Sequence, residues 1–204
     1  MMVVFVNFAD SLVRLDEETE RLIDNVNCVV SSYVTSGVHL PYETILESVQ
    51  KGVTERIANM PPWDDAFLVE ELSYRARIFV VSNFSQKVVK DFLIRNNLDA
   101  FVDGVISSGD VMRLKPSREF FETASKRANV PLQAITLVSS NPFDVLMAKS
   151  LRMRAFWLNR RGSTFPFPAG LQPDSVVSSL RVVAEMTAEK RVDSRMGDSA
   201  LRCT

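Results

Sequence analysis

The chain opens on Met2 to Val6, a continuous apolar run of β-branched and aromatic residues that stops at Asn7-Phe8-Ala9-Asp10-Ser11. That pattern predicts a buried strand emptying into a polar loop. Leu15, Leu22, Ile23, Val26, Val29 and Val30 then recur at helical spacing and predict a helix from Asp16 to about Ser32. A polar hinge with Gly37 follows, and a second helix is expected from Pro41, at a first-turn position, to about Asn59. Met60-Pro61-Pro62 breaks the chain before a third helix from about Trp63 to Tyr74.

From Arg77 the rhythm becomes strand then helix. Strands are expected at Arg77 to Val81, Gly104 to Ile106, Ala134 to Val138 and Ala155 to Leu158; helices at Ser85 to Asn96, Ser117 to Ala128 and Pro142 to Leu151. Such alternation specifies an α/β fold with a parallel sheet. Phe165 to Pro168 reads as an extended loop, Ser175 to Ala188 as a last helix, and 189–204 as a disordered polar tail without periodicity. The expected organisation is a Rossmann-like core of residues 1–13 and 75–188, with a small helical cap of residues 14–74 inserted after the first strand.

Composition narrows the class without changing that picture. The 204 residues are 46% hydrophobic and 24% charged with a net charge of -1, as in ordinary globular proteins, which argues against a basic nucleic-acid binder. No apolar run reaches the roughly 20 residues of a membrane helix, and Met1 to Val6 lacks a basic flank, so a cytoplasmic protein is expected. Cys28 and Cys203 are too few for a disulfide framework, and with the single His39 they exclude a histidine-rich metal centre. Charge is uneven. Residues 1–74 carry 4 Lys/Arg against 13 Asp/Glu, whereas 75–149 carry 11 against 7 and 150–204 carry 9 against 5. An acidic first third beside a basic remainder either helps one part close over another or is solvated surface.

In an open parallel sheet, chemistry gathers at the carboxyl ends of the strands. Here those ends present Asn7 to Ser11, Ser82-Asn83, Ser107-Ser108 and Ser139-Ser140-Asn141, with Lys115 after the third strand and Asp144 one turn past the fourth. The stretches Phe79 to Ser85, Ile106 to Val111 with Leu114-Lys115-Pro116, Val138 to Val145, and Phe156 to Gly162 together resemble the haloacid dehalogenase superfamily, and within it the type II L-2-haloacid dehalogenases. Ser139-Ser140-Asn141-Pro142-Phe143-Asp144 resembles the segment that separates dehalogenases from the superfamily's phosphatases.

By that resemblance the first strand should end in an aspartate that attacks the halogen-bearing carbon and forms an ester for water to hydrolyse. Asn7 stands in its place, and a neutral carboxamide oxygen is a far weaker nucleophile than a carboxylate. Ala9 stands where the phosphatases carry an acid/base aspartate and the dehalogenases a tyrosine; Asp10 and Ser11 replace Gly-Thr. With Asn7 and a lone Asp144, no magnesium site and no cofactor are expected. The cap arginine that receives halide in this type is missing, since residues 22–50 hold no Arg or Lys; Arg14, Arg21 and Arg56 remain as candidates.

The resemblance casts Asn7, Lys115 and Asp144 as the catalytic positions, and Ser11, Ser82, Asn83, Ser139, Asn141 and Phe143 as the substrate-binding set. Each has a plainer reading. Lys115 is also a surface lysine at a helix start, Asp144 a favourable first-turn charge, Ser82 and Asn83 loop-satisfying polar groups, Asn141 a helix cap, and Trp63, Phe143 and Trp157 packing residues. The resemblance implies a small carboxylate substrate and a homodimer joined through the cap; a shortened cap without its arginine equally admits something larger and more apolar. Three functional readings stay open: a protein diverged to non-covalent chemistry of isomerase or cyclase type, a hydrolase whose aspartate was replaced by Asn7, and a binding or regulatory module.

Overall fold

The computed structural model describes residues 2–167 and 170–186. Strands β1 (Met2–Asn7), β2 (Ala76–Ser82), β3 (Gly104–Ser107), β4 (Ile135–Ser139), β5 (Arg154–Leu158) and β6 (Ser175–Val177) form one parallel sheet in the order β3-β2-β1-β4-β5-β6. The chain moves outward from β1 through β2 to β3, then returns to the other side of β1 for β4. The strand order therefore reverses between β1 and β4, where two connections leave in opposite directions and open a crevice.

The apolar run of β1 is continuous because both sheet faces are covered. Val4 and Val6 enter one cluster with Val26 and Val30 of α1 (Glu17–Ser36), Ile45 and Leu46 of α2 (Tyr42–Val49), and Ile57 of α3 (Val53–Asn59). Val3 and Phe5 enter another with Phe120 and Phe121 of α7 (Arg118–Ala128) and Val145 of α8 (Pro142–Ser150). The helices inserted between β1 and β2 thus share their core with one face of the sheet. Phe8, just past β1, is fully buried, with its ring edge-on to Phe84 and Phe92 at 5.8 and 5.2 Å.

Several local features differ from the periodicity. The helix expected from Pro41 to Asn59 is broken into α2 and α3, because the chain turns at Gly52 with φ 77, a left-handed conformation that glycine takes without steric cost. The third insert helix is a 3-10 turn at Ala66–Leu68 followed by the short α4 (Val69–Ser73). The segment from Ser175, expected to be helical throughout, begins instead as β6: Val176 and Val177 are β-branched and complete the edge beside β5, pairing with Trp157 and Leu158. Helix resumes over 180–186. On the core side, α5 (Gln86–Arg95), α6 (Ser108–Val111), α7 (Arg118–Ala128) and α8 (Pro142–Ser150) alternate with the strands. The one-turn α6 was not anticipated; a capping box between Ser107 and Asp110 holds it. Pro168 and the tail 189–204 lie outside the described residues.

The acidic first third is used in two ways. Asp65, Glu20 and Glu43 reach across to Arg160, Arg161 and the Ser85 N–H of the core, while Glu17, Glu18, Glu70 and Glu71 bond within the insert. Among the described residues no helix is long and apolar enough to cross a membrane.

Helix α1 begins at a side-chain cap. Asp16 accepts the Thr19 N–H at 2.8 Å and pairs with Arg56 at 2.8 Å. The Thr19 N–H and then Arg56 hold the Asp16 carboxyl down at about 2, below the ordinary 3.8. Asp16→Ala is expected to cost about 1 kcal/mol in denaturant melts. Because the folded-state value is depressed, that contribution is present above pH 3.8 and fades as pH falls toward 2. The gap between wild type and variant should close over that window.

Candidate active site

The parallel register brings polar strand ends together. Asn7 closes β1, Ser82 closes β2 and Ser139 closes β4, each just as the hydrogen-bonded ladder runs out. Asp144 sits in the first turn of α8, whose N-cap is Asn141: its Oδ1 accepts the Phe143 N–H at 2.9 Å, with Pro142 at the next position. Lys115 arrives from the segment between α6 and α7.

These side chains meet in a buried cluster. The Lys115 Nζ donates to Asn7 Oδ1 at 2.5 Å and to Asp144 Oδ2 at 2.8 Å. Lys115 is 4% exposed, Asp144 0% and Asn7 7%, so this ion pair is cut off from water. Ser139 Oγ donates to Asp144 Oδ2 at 3.1 Å and accepts the Asn141 N–H. The Asn7 carboxamide is held at both ends: its oxygen accepts from Lys115, and its Nδ2 donates to the Ala9 carbonyl at 3.0 Å. An ammonium has three N–H donors, and the protein takes two of them. Lys115 also lines the cavity above, and its third N–H has no acceptor among the described residues.

That cavity measures about 360 Å³ and lies between the strand ends and the insert. Of the nine expected site residues, Asn7, Ser82, Asn83, Lys115, Asn141 and Phe143 line it. Ser11, Ser139 and Asp144 do not; they stand behind the wall. The expected substrate contact from Ser11 is corrected accordingly: it is fully buried, and its Oγ accepts the Ser140 N–H at 3.1 Å, tying the β1 loop to the β4 loop. Ser139 likewise orients Asp144 from behind the cavity. The Asn83 amide also holds the main chain of Lys115, accepting its N–H at 2.7 Å and donating to its carbonyl at 3.1 Å. Asn83 thereby positions the lysine. Ser82 Oγ accepts the Phe84 N–H, and Asn141 caps α8 as its plainer reading had it. Phe143 stacks edge-on against Phe167 at 5.2 Å.

The arginines of the first third stay away from the cavity lining. Arg56 pairs with Asp16 and Glu18, Arg21 with Glu17 and Arg14 with Asp64. The guanidiniums that line it come from the loop after β5, which sequence reasoning did not single out. Arg160 grips Asp65 at 2.8 and 3.0 Å, donates to the Ser11 carbonyl at 2.7 Å and lies 4.5 Å over the Trp63 ring. Arg161 pairs with Glu20 and Asp10. Burial holds the carboxyls of Asp10, Glu20 and Asp24 above their ordinary values, against the pull of Arg161. Asp144 Oδ2 accepts from Lys115 and Ser139, while its buried Oδ1 has no hydrogen-bond partner among the described residues. Among the described residues no three acidic, histidine or cysteine side chains converge elsewhere.

Comparison with known proteins agrees with this architecture. A family model described as haloacid dehalogenase-like hydrolase matches residues 17–158. The chain is 32% identical over 101 residues to (S)-2-haloacid dehalogenase 2 of Pseudomonas sp. (strain CBS-3), covering 50% of this chain and 44% of that protein. It is 30% identical over 119 residues to (S)-2-haloacid dehalogenase of Pseudomonas sp. (strain YL), covering 58% and 51%. The chain thus spans about half the length of these relatives. The solved structure of L-2-haloacid dehalogenase from Xanthobacter autotrophicus superposes with a TM-score of 0.78 over 92% of this chain and 98% of that one, at 16% identity, a likeness of fold.

Proposed function

This chain belongs to the haloacid dehalogenase-like hydrolase family, and we propose that it uses the family's pocket to bind and polarise a small organic ligand without the covalent aspartyl ester. The observation that carries this reading is the state of Asn7. Its oxygen is neutral, sits where attack would have to start, and already accepts from Lys115 at 2.5 Å, while its nitrogen is tied to Ala9. A carboxamide so engaged has no charge to deliver to carbon. What the site retains is electrostatic: a buried ammonium, oriented by Asp144 and by Asn83, that lines the cavity with one N–H not taken by the protein. A donor of that kind stabilises negative charge developing on a ligand oxygen, as an isomerisation or ring closure through an enolate requires.

A second reading is a hydrolase with Asn7 in the nucleophile's place. It draws on the completeness of the Lys115, Asp144 and Ser139 cluster, which would serve a carboxylate at position 7 equally well. One experiment separates the two. The chain and its Asn7→Asp variant are assayed against 2-haloacids and phosphate esters, with intact mass recorded before and after incubation. The non-covalent reading expects no turnover above buffer from either protein and no mass change. Turnover by Asn7→Asp, or a shift of the wild-type mass from amide to acid, would establish the hydrolase reading instead.

A further inference from the structure

A polar group of the insert faces this cavity without a protein partner. Tyr42, the first residue of α2, lines the cavity and is only 4% exposed. Its ring is fixed edge-on against Phe84 at 5.0 Å. The hydroxyl makes no hydrogen bond with any described residue, yet it is not among the buried atoms sealed from the cavity. A phenol buried to this extent ordinarily finds a partner. Burial, and then the carboxylates of Asp144, Glu43 and Asp24, push it well above the ordinary phenol range, so it stays protonated and offers an O–H donor.

The charges around the cavity restrict what that donor can meet. Each cation of the lining is already answered: Lys115 by Asp144, Arg160 by Asp65, and Arg161 by Glu20 and Asp10. Asp24 adds a further negative charge to the lining. A carboxylate accepting the remaining Lys115 N–H would approach surplus negative charge. A neutral ligand meets no such barrier, and Leu15, Ile23, Phe84 and Leu158 give its carbon skeleton an apolar wall.

We propose that Tyr42 is a ligand-binding residue of this cavity, its hydroxyl donating to a neutral oxygen acceptor such as an amide, ester or ketone carbonyl, and that the cavity selects such ligands over carboxylates. The inference rests on the reading of this cavity as the ligand site. Lys115 at the floor and Tyr42 on the insert supply the two ends of the polar recognition.

The test is a pair of probes of nearly equal size, 2-chloropropionamide and 2-chloropropionate, titrated into the full chain and into Tyr42→Phe with amide chemical shifts as the readout. The neutral probe is expected to bind at least about ten-fold more tightly than the carboxylate, and Tyr42→Phe to lose roughly three- to ten-fold of the neutral probe's affinity, the share of one hydrogen bond. Carboxylate affinity should not move. The thermal midpoint of Tyr42→Phe should equal or exceed that of wild type, since the hydroxyl has no protein partner to lose. Equal or tighter carboxylate binding, unchanged affinity in Tyr42→Phe, no shift from either probe at its solubility limit, or a lowered midpoint would each overturn the proposal. Intact mass is followed in parallel: an adduct would count against the non-covalent reading alone, while the affinity ratio still decides the role of Tyr42.

Discussion

Replacing Asp144 by alanine is expected to lower the free energy of unfolding by about 3–5 kcal/mol, the range for removing one partner of a buried ion pair. Lys115 would remain 4% exposed with only the neutral Asn7 oxygen to accept from it. Desolvation of the ammonium would then be largely uncompensated, and Ser139 would lose its acceptor as well. Urea melts of wild type and variant read the difference directly. A matched double variant, Lys115→Met with Asp144→Leu, should recover most of it, because two apolar side chains of similar volume owe no desolvation cost. A loss below about 1 kcal/mol in the single variant would mean that the pair behaves like an exposed salt bridge. Ligand binding should fail in both, which separates the pair's part in stability from its part in the site.

Arg160→Ala is expected to cost roughly 2–4 kcal/mol, somewhat less than a wholly buried pair because Asp65 keeps partial contact with water. The side chain of Arg160 is 5% exposed and that of Asp65 16%. One guanidinium here joins three segments: it bonds Asp65 and stacks on Trp63 of the insert, bonds the Ser11 carbonyl of the β1 loop, and itself belongs to the loop after β5. Asp65 in turn accepts the Leu180 N–H at 2.7 Å. Arg160→Lys should recover little, since an ammonium lacks the planar fork that spans both Asp65 oxygens and lies flat on an indole. Thermal melts give the magnitude, and limited proteolysis between residues 37 and 66 gives the location. An unchanged proteolysis pattern would show that the insert is held without this contact.

The two substitutions draw on different kinds of information in the chain. Lys115 and Asp144 stood out from order alone, each just past a strand in a strand-helix alternation, and a resemblance carried by contiguous segments. Arg160 was visible only as part of such a segment, since nothing local marks a partner 95 residues away. Tyr42 had still less to mark it: Pro41-Tyr42 reads as a helix start, and the lack of a partner for its hydroxyl is a property of the assembled cavity. Ser11 lies off the cavity lining for a related reason. A polar residue at a strand end is equally able to bind a ligand or satisfy a neighbouring loop, and only the geometry shows Ser11 buried against the Ser140 N–H and Asn83 holding the Lys115 main chain.

Hydrophobic periodicity, strand-helix alternation and the punctuation at Met60-Pro61-Pro62 are local properties, and they are enough to place a parallel α/β core, a helical insert and the polar residues gathered at the strand ends. Asn7 could likewise be read without coordinates, because the amide or acid at that position is a matter of identity. What folding alone decided are the outcomes of competition between distant groups. Val176 and Val177 became an edge strand because β5 offered an open ladder; Gly52 broke a helix whose apolar pattern ran on; the cavity's cations were each neutralised by acids from other elements. Those outcomes depend on burial and on partners brought close by the tertiary structure, where a low dielectric makes each pairing count.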